Sequence, residues 1–222
     1  MTRHGELLIE EIVKHRSCRA LDDVRWSDVN ARFEGSLFWH GVPTSTGALE
    51  AFASFAASRP NLPAPVSVVV GIASSGIAWA TAVALRMALP LAVLRLTEHR
   101  YGPTNLDVRR HAGRNAYLID NHFGSGETIG QARSLLANYS VNVAGTCVVE
   151  AREPDPGIVT PLTVDAKLRA LLERGYFSRV GAEIAERYLL HKDDWLADTA
   201  WVRRVRDDLR RENREPGKGE SP

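Results

Sequence analysis

The stretch Ala116–Gln131, AYLIDNHFGSGETIGQ, constrains this chain more than any other. Tyr117, Leu118 and Ile119 form a short apolar run closed by an acidic residue, as when a buried parallel strand leaves its sheet. The run breaks into Gly124-Ser125-Gly126-Glu127-Thr128, and helical spacing follows from Ile129 through Ala132, Leu135 and Leu136. Strand, glycine-rich turn and helix start, in that order, build an anion cradle. Glycine lets the backbone approach closely, several N–H groups turn inward, and the helix N-terminus adds partial positive charge. Ser125 and Thr128 bring hydroxyl donors to the same anion. Asp120 and Asn121, one step earlier, fall where the hydroxyls of a sugar attached to a phosphate would lie. A turn of this composition also serves plain turn geometry and capping, so the rest of the chain has to decide.

A second turn of the same kind lies upstream. Val66–Val70, interrupted only by Ser67, is β-branched and reads as a buried strand. It leads into Gly71-Ile72-Ala73-Ser74-Ser75-Gly76-Ile77 and a helix over about 78–87. Leu91–Leu96 reads as the next strand and Asn142–Glu150 as another. Ile158, Val159 and Leu162 suggest a short strand, with a helix over Val164–Arg174 capped by Thr163. Alternating strands and helices from Val66 to Glu150 predict an α/β fold: a parallel sheet flanked by helices with right-handed crossovers. Two small-residue turns at one edge of such a sheet make a ligand site more attractive than two accidental tight turns.

The totals exclude several classes. With 222 residues, 44% hydrophobic and 25% charged, the chain is long enough for one domain with a full core. A formal charge of +1 argues against a protein that coats nucleic acid or hugs a membrane. Cys18 and Cys147 have neither metal-ligand nor disulfide-framework spacing. The charged opening of the chain lacks the apolar core of a signal peptide, so the cytoplasm is the expected compartment. The uncharged stretch Ala64–Leu85 is long enough to cross a membrane, but Gly71, Ser74, Ser75 and Gly76 break it, and strand-turn-helix explains it better.

With these features in place, the chain resembles the type I phosphoribosyltransferases, nearest the orotate branch, over roughly residues 65–172. The motif of that family for phosphoribosyl pyrophosphate (PRPP) is an apolar strand, two adjacent acids, two variable residues and a Thr/Ser- and Gly-rich loop. Asp120 matches the first acid, and Asn121 stands at the second. The family's pyrophosphate loop, Gly-Ile-Ala-Thr-Gly-Gly-Ile-Pro in the orotate branch, is similar to Gly71–Ile77. Its next strand ends in Val-Arg-Lys: Arg95 matches the Arg, and Leu96 replaces the Lys. A catalytic lysine of the lid and the His two residues later fall on His99 and Tyr101. Its Asp-Arg-Glu after the following strand becomes Ala151-Arg152-Glu153.

The resemblance implies transfer of phosphoribose from PRPP to a nitrogenous base with release of pyrophosphate, assisted by Mg²⁺. It implies Asp120 and Asn121 at the ribose hydroxyls, and Gly124, Ser125, Gly126, Glu127 and Thr128 around the 5′-phosphate. Ala73, Ser74, Ser75, Gly76 and Arg95 fall to the pyrophosphate, with His99 and Arg100 closing over it from a basic loop that runs to Asn115. That loop, with Arg109, Arg110, Arg114 and His111, reads equally as solvated surface. Arg152 falls to a carboxylate on the base, as in orotate, or to a local ion pair. The family acts as homodimers, with PRPP and a base as small-molecule partners. A non-catalytic PRPP- or nucleotide-binding protein, and a transferase for another base, remain as alternatives.

The expected organisation is one domain. Residues 1–63 carry an N-terminal helix and a hood region that echoes the family's hood over the base only in Gly41 and Thr44, and that reads equally as a loop-rich edge packed by its aromatics. Residues 64–172 are the PRPP-binding core, and 173–214 are C-terminal helices with Trp195, Trp201 and Val202 as core contacts. The polar stretch 215–222 is an expected disordered tail.

Overall fold

The computed structural model describes residues 2–15, 45–58, 62, 64–97 and 105–214. Two compact units emerge from the contacts, one of residues 2–8 and the described part of 45–164, the other of residues 9–15 and 165–214.

The first unit is built on a five-stranded sheet of β1 (Val68–Ile72), β2 (Leu91–Leu94), β3 (Asn115–Phe123), β4 (Asn142–Ala151) and β5 (Leu162–Thr163). Its order is β2-β1-β3-β4-β5, and every pairing is parallel. The β-branched run of β1 is buried on both faces, as a central parallel strand must be. Helix α1 spans Arg3–His15. Helix α2 (Thr46–Ala57) starts at Ser45, whose hydroxyl accepts the Ala48 N–H at 3.1 Å. Helix α3 spans Ile77–Met87. Phe52 of α2 meets Trp79 of α3 edge-on, ring centroids 5.4 Å apart. On the opposite face, Val68, Val70, Ile72, Leu94, Leu118 and Val148 pack with Ile129, Ala132 and Leu136 of α5 (Glu127–Asn138). With helices on both faces, the carboxyl ends of the strands are where such a sheet binds ligands.

Several boundaries differ from the sequence reading. β1 runs Val68–Ile72, two residues later than expected, and Gly71 inside it lets α3 press close: a Cβ there would sit 2.6 Å from Ala80 Cβ. The strand expected through Leu96 stops at Leu94. β3 is longer than expected, running through His122 and Phe123, so Asp120 lies inside the strand. The expected loop to Asn115 holds one helical turn, α4 (Leu106–Arg109). Asp107 accepts the Val93 N–H at 2.8 Å, and Asn105 accepts the Arg95 N–H at 2.7 Å and donates to its carbonyl at 3.0 Å. These bonds pin residues 105–109 to β2, while His99 and Arg100, expected to close over the site, lie outside the described residues. No helix among the described residues is long and apolar enough to cross a membrane.

The second unit contains α6 from Asp165 onward (the helix spans Val164–Glu173), α7 (Arg179–His191) and α8 (Thr199–Arg214), with a 3-10 turn at Lys192–Asp194. Trp195 is buried and contacts Tyr188 and Trp201 edge-on at 6.0 and 6.1 Å. Val205 and Leu209 form the buried stripe of α8. Its charged face carries ion pairs from Arg204 to Glu183 and Asp208.

Candidate functional site

The carboxyl ends of four neighbouring strands carry most of the residues singled out in the sequence. In sheet order they are Arg95 after β2, Ala73–Gly76 after β1, Asp120 to Thr128 at and after β3, and Arg152 after β4. Parallel pairing places them there, because every strand of such a sheet exits at the same edge.

The turn after β1 is drawn onto its neighbours. Ala73 N–H donates to Leu94 O of β2 at 2.8 Å, and Gly76 N–H to Ile72 O at 2.9 Å. A Cβ at Gly76 would lie 2.8 Å from both Ile119 O and Ile72 O, so only glycine fits against β3 at this point. The Ala73–Ser74 peptide is cis. Ser74 and Ser75 are exposed at the tip, and α3 starts behind them with Gly76 as a cap that offers no side-chain acceptor.

The turn after β3 is the tighter of the two. Gly126 has φ +82°, a left-handed conformation that L side chains rarely adopt, and its Cα faces the Phe123 ring. It caps α5 without a side-chain hydrogen bond, which leaves the first-turn N–H groups of that helix for another acceptor. Ser125, Glu127 and Thr128 are exposed, and Gly124 is half-buried. The Glu127 carboxylate accepts a hydrogen bond from the Gln131 amide at 3.2 Å.

The two turns meet at Asp120. Its carboxyl is 3% exposed, and one oxygen, Oδ1, accepts the Asn121 N–H at 2.8 Å and the Ser75 hydroxyl at 3.4 Å. Burial pushes Asp120 up to about 6, against the Asn121 N–H, the Ser75 hydroxyl and the nearby His122 imidazole, which all favour its charge. Arg95 is exposed, and its guanidinium meets no partner among the described residues. Arg152 is half-buried, and its N–H donates to Phe123 O at 2.8 Å, which ties the end of β4 to β3. His99 and Arg100, the expected lid residues, lie outside the described residues, as does the region matched to the hood. Arg109, assigned to the same loop, instead stacks its guanidinium on the Tyr139 ring at 4.7 Å.

Two site neighbours escaped the sequence reading. His122 and Glu150 are register partners on β3 and β4, with Nδ1 and Oε1 3.4 Å apart, and Glu150 is 1% exposed. The period of two along β3 carries the signal for His122, since it shares a face with Asp120. Among the described residues no group of three His, Cys, Asp or Glu side chains is placed to hold a metal.

Comparison with known proteins agrees with this fold. No family model matches the chain. The orotate phosphoribosyltransferase of Sulfurisphaera tokodaii is 27% identical over 86 residues, 39% of this chain, so the match spans 44% of that relative's length. The orotate phosphoribosyltransferase from Aeropyrum pernix superposes with a TM-score of 0.58 at 18% identity, over 75% of this chain and 98% of that one. A phosphoribosyltransferase from Corynebacterium diphtheriae gives 0.57 at 14% identity, over 75% and 99%. The UMP synthase of Leishmania donovani gives 0.61 at 14% identity, over 82% of this chain and 41% of that longer one. The parallel five-stranded sheet flanked by helices is the fold of the type I phosphoribosyltransferases.

Proposed function

We propose that this chain, which has the type I phosphoribosyltransferase fold, transfers phosphoribose from PRPP to a base that carries a carboxylate, with orotate the leading candidate. The observation that supports it most is the meeting of the two anion-type turns at Asp120, where the Ser75 hydroxyl reaches the carboxyl across adjacent strands. A phosphate and a pyrophosphate joined through one ribose need this arrangement: two cradles, side by side, with a hydroxyl-binding carboxylate between them.

In this reading Gly124, Ser125, Gly126, Glu127 and Thr128 hold the 5′-phosphate, and Asp120 with Asn121 holds the ribose hydroxyls. Ala73, Ser74, Ser75, Gly76 and Arg95 hold the pyrophosphate, with His99 and Arg100 above it. Cleavage of the anomeric bond builds positive charge on the ribose while pyrophosphate leaves as an anion. The protein's part is positioning and charge stabilisation. Mg²⁺ would enter bound to the PRPP oxygens. The Arg152 guanidinium donates to the carboxylate of the base, and the protein acts as a homodimer in the cytoplasm.

Pyrophosphate release from PRPP and Mg²⁺, screened over orotate, nicotinate, quinolinate, uracil, hypoxanthine and adenine, tests the reading. Turnover is expected with a carboxylated base, and Arg152→Ala should weaken its use by roughly 2–5 kcal/mol while PRPP binding holds. Turnover with a base lacking a carboxylate, indifferent to Arg152→Ala, would move the protein to another specificity. A second reading, a PRPP-binding protein without turnover, is favoured by Asn121 at the second acid and by His99 and Leu96 where lysines stand in the family. PRPP-dependent stabilisation with no pyrophosphate release from any base would decide for it.

A further inference from the structure

The motif that the β3 turn resembles carries two adjacent acids, and this chain has one. Asp120 must therefore meet the ribose as the only carboxylate of the pair, from a buried position that disfavours its charge. Both of its hydrogen bonds end on Oδ1, and no donor among the described residues reaches Oδ2. One oxygen is tied down and the other is left for a ligand.

The groups facing Asp120 come from more than its own strand. Ser75 reaches it from the turn after β1, a position where the resembled pyrophosphate loop has glycine and no hydroxyl. His122 follows on the same face of β3, and Glu150 stands behind His122 on β4, 3.4 Å away. A protonated His122 would favour the charge of both carboxylates, Glu150 beside it and Asp120 two residues before it.

We propose that Ser75 and His122 are positioning residues for ribose binding, which with buried Glu150 hold Asp120 as the single working carboxylate in place of the acid missing at Asn121. The proposal rests on the phosphoribosyl reading of the cradle. Ser75 fixes Oδ1 so that Oδ2 faces the hydroxyls, and with His122 it favours the ionised carboxyl against the burial that opposes it.

Two readouts test it: the titration of the Asp120 carboxyl in the free protein by carbon-13 NMR, and PRPP binding with Mg²⁺ by calorimetry across the same pH range. Binding by the unaltered protein should strengthen as pH rises through about 6, as Asp120 ionises. Ser75→Ala and His122→Gln should each move the carboxyl midpoint and the binding midpoint upward by roughly half a pH unit, about threefold in affinity at the acid end. Ser75→Thr, which keeps the hydroxyl, should leave both in place. Ser75 is exposed, so its alanine variant leaves the core intact. Midpoints identical in all variants, with PRPP still bound, would overturn this proposal alone. No PRPP binding at any pH would overturn the cradle reading and this proposal with it, while the NMR midpoint still reports on the geometry.

Discussion

Asp120 shows how a candidate binding residue strains against the fold that holds it. Its carboxyl titrates at about 6 in the folded protein, above its ordinary 3.8, so the native state keeps a proton that the unfolded chain has already released. Stability should therefore fall as pH rises between about 4 and about 6 and level off above, with a cost on the order of 3 kcal/mol once the group is ionised. Asp120→Asn should consequently stabilise the free protein by about 1–3 kcal/mol at alkaline pH, while PRPP binding is lost. Urea titrations of both proteins at pH values on either side of this window check it, and the gain should vanish at the acid end. Gly76 makes the opposite case. A methyl group there would press on two carbonyl oxygens of the backbone, which have nowhere to go. Gly76→Ala should cost roughly 1–3 kcal/mol or more and displace the first turn. The residue types at 120 and 76 were legible from the sequence, but the reasons were not. Burial of Asp120 and the carbonyl wall around Gly76 arise only when β1 and β3 lie side by side.

Among the elements, the strands and helices of the first unit were visible wherever periodicity and small-residue turns coincide. Their ends were not. The turn at Asn105–Arg109 was read as loop because four helical residues carry no periodic signal, and it is fixed by polar bonds to the backbone of β2. His122 and Glu150 were passed over because neither belongs to a motif: only the register that makes them partners gives them meaning. Capping, in contrast, is written locally. Ser178 accepts the Gly181 N–H at 3.1 Å at the start of α7 and donates to the Glu212 carboxylate of α8 at 2.7 Å. Ser178→Ala should lower stability by about 1 kcal/mol, read as a drop in Tm, and Ser178→Asp should retain the cap but lose the link to Glu212.

For the whole molecule, the proposed ligand would couple to the fold through the edge where the strands end. PRPP with Mg²⁺ at 100 times its Kd should add about 2.7 kcal/mol to the folded state. Gly126→Trp, which places a large side chain where φ is +82°, should abolish that gain in a melting experiment. The identity of the base was the least legible property, since the N-terminal stretch is where the resemblance to the family is weakest. The parallel sheet has a further consequence, in time rather than in space. None of its pairings is a hairpin: β1 meets β2 only after α3 has been made, and meets β3 only after β2 and α4 have followed. Chain closure must precede any reward from pairing, so refolding should be slow, in milliseconds to seconds rather than microseconds. Hydrogen exchange pulsed during refolding should find the amides of α3 and α5 protected before those shared by β1 and β3. The central strands that present the ligand groups would then be the last part of the molecule to become safe from aggregation.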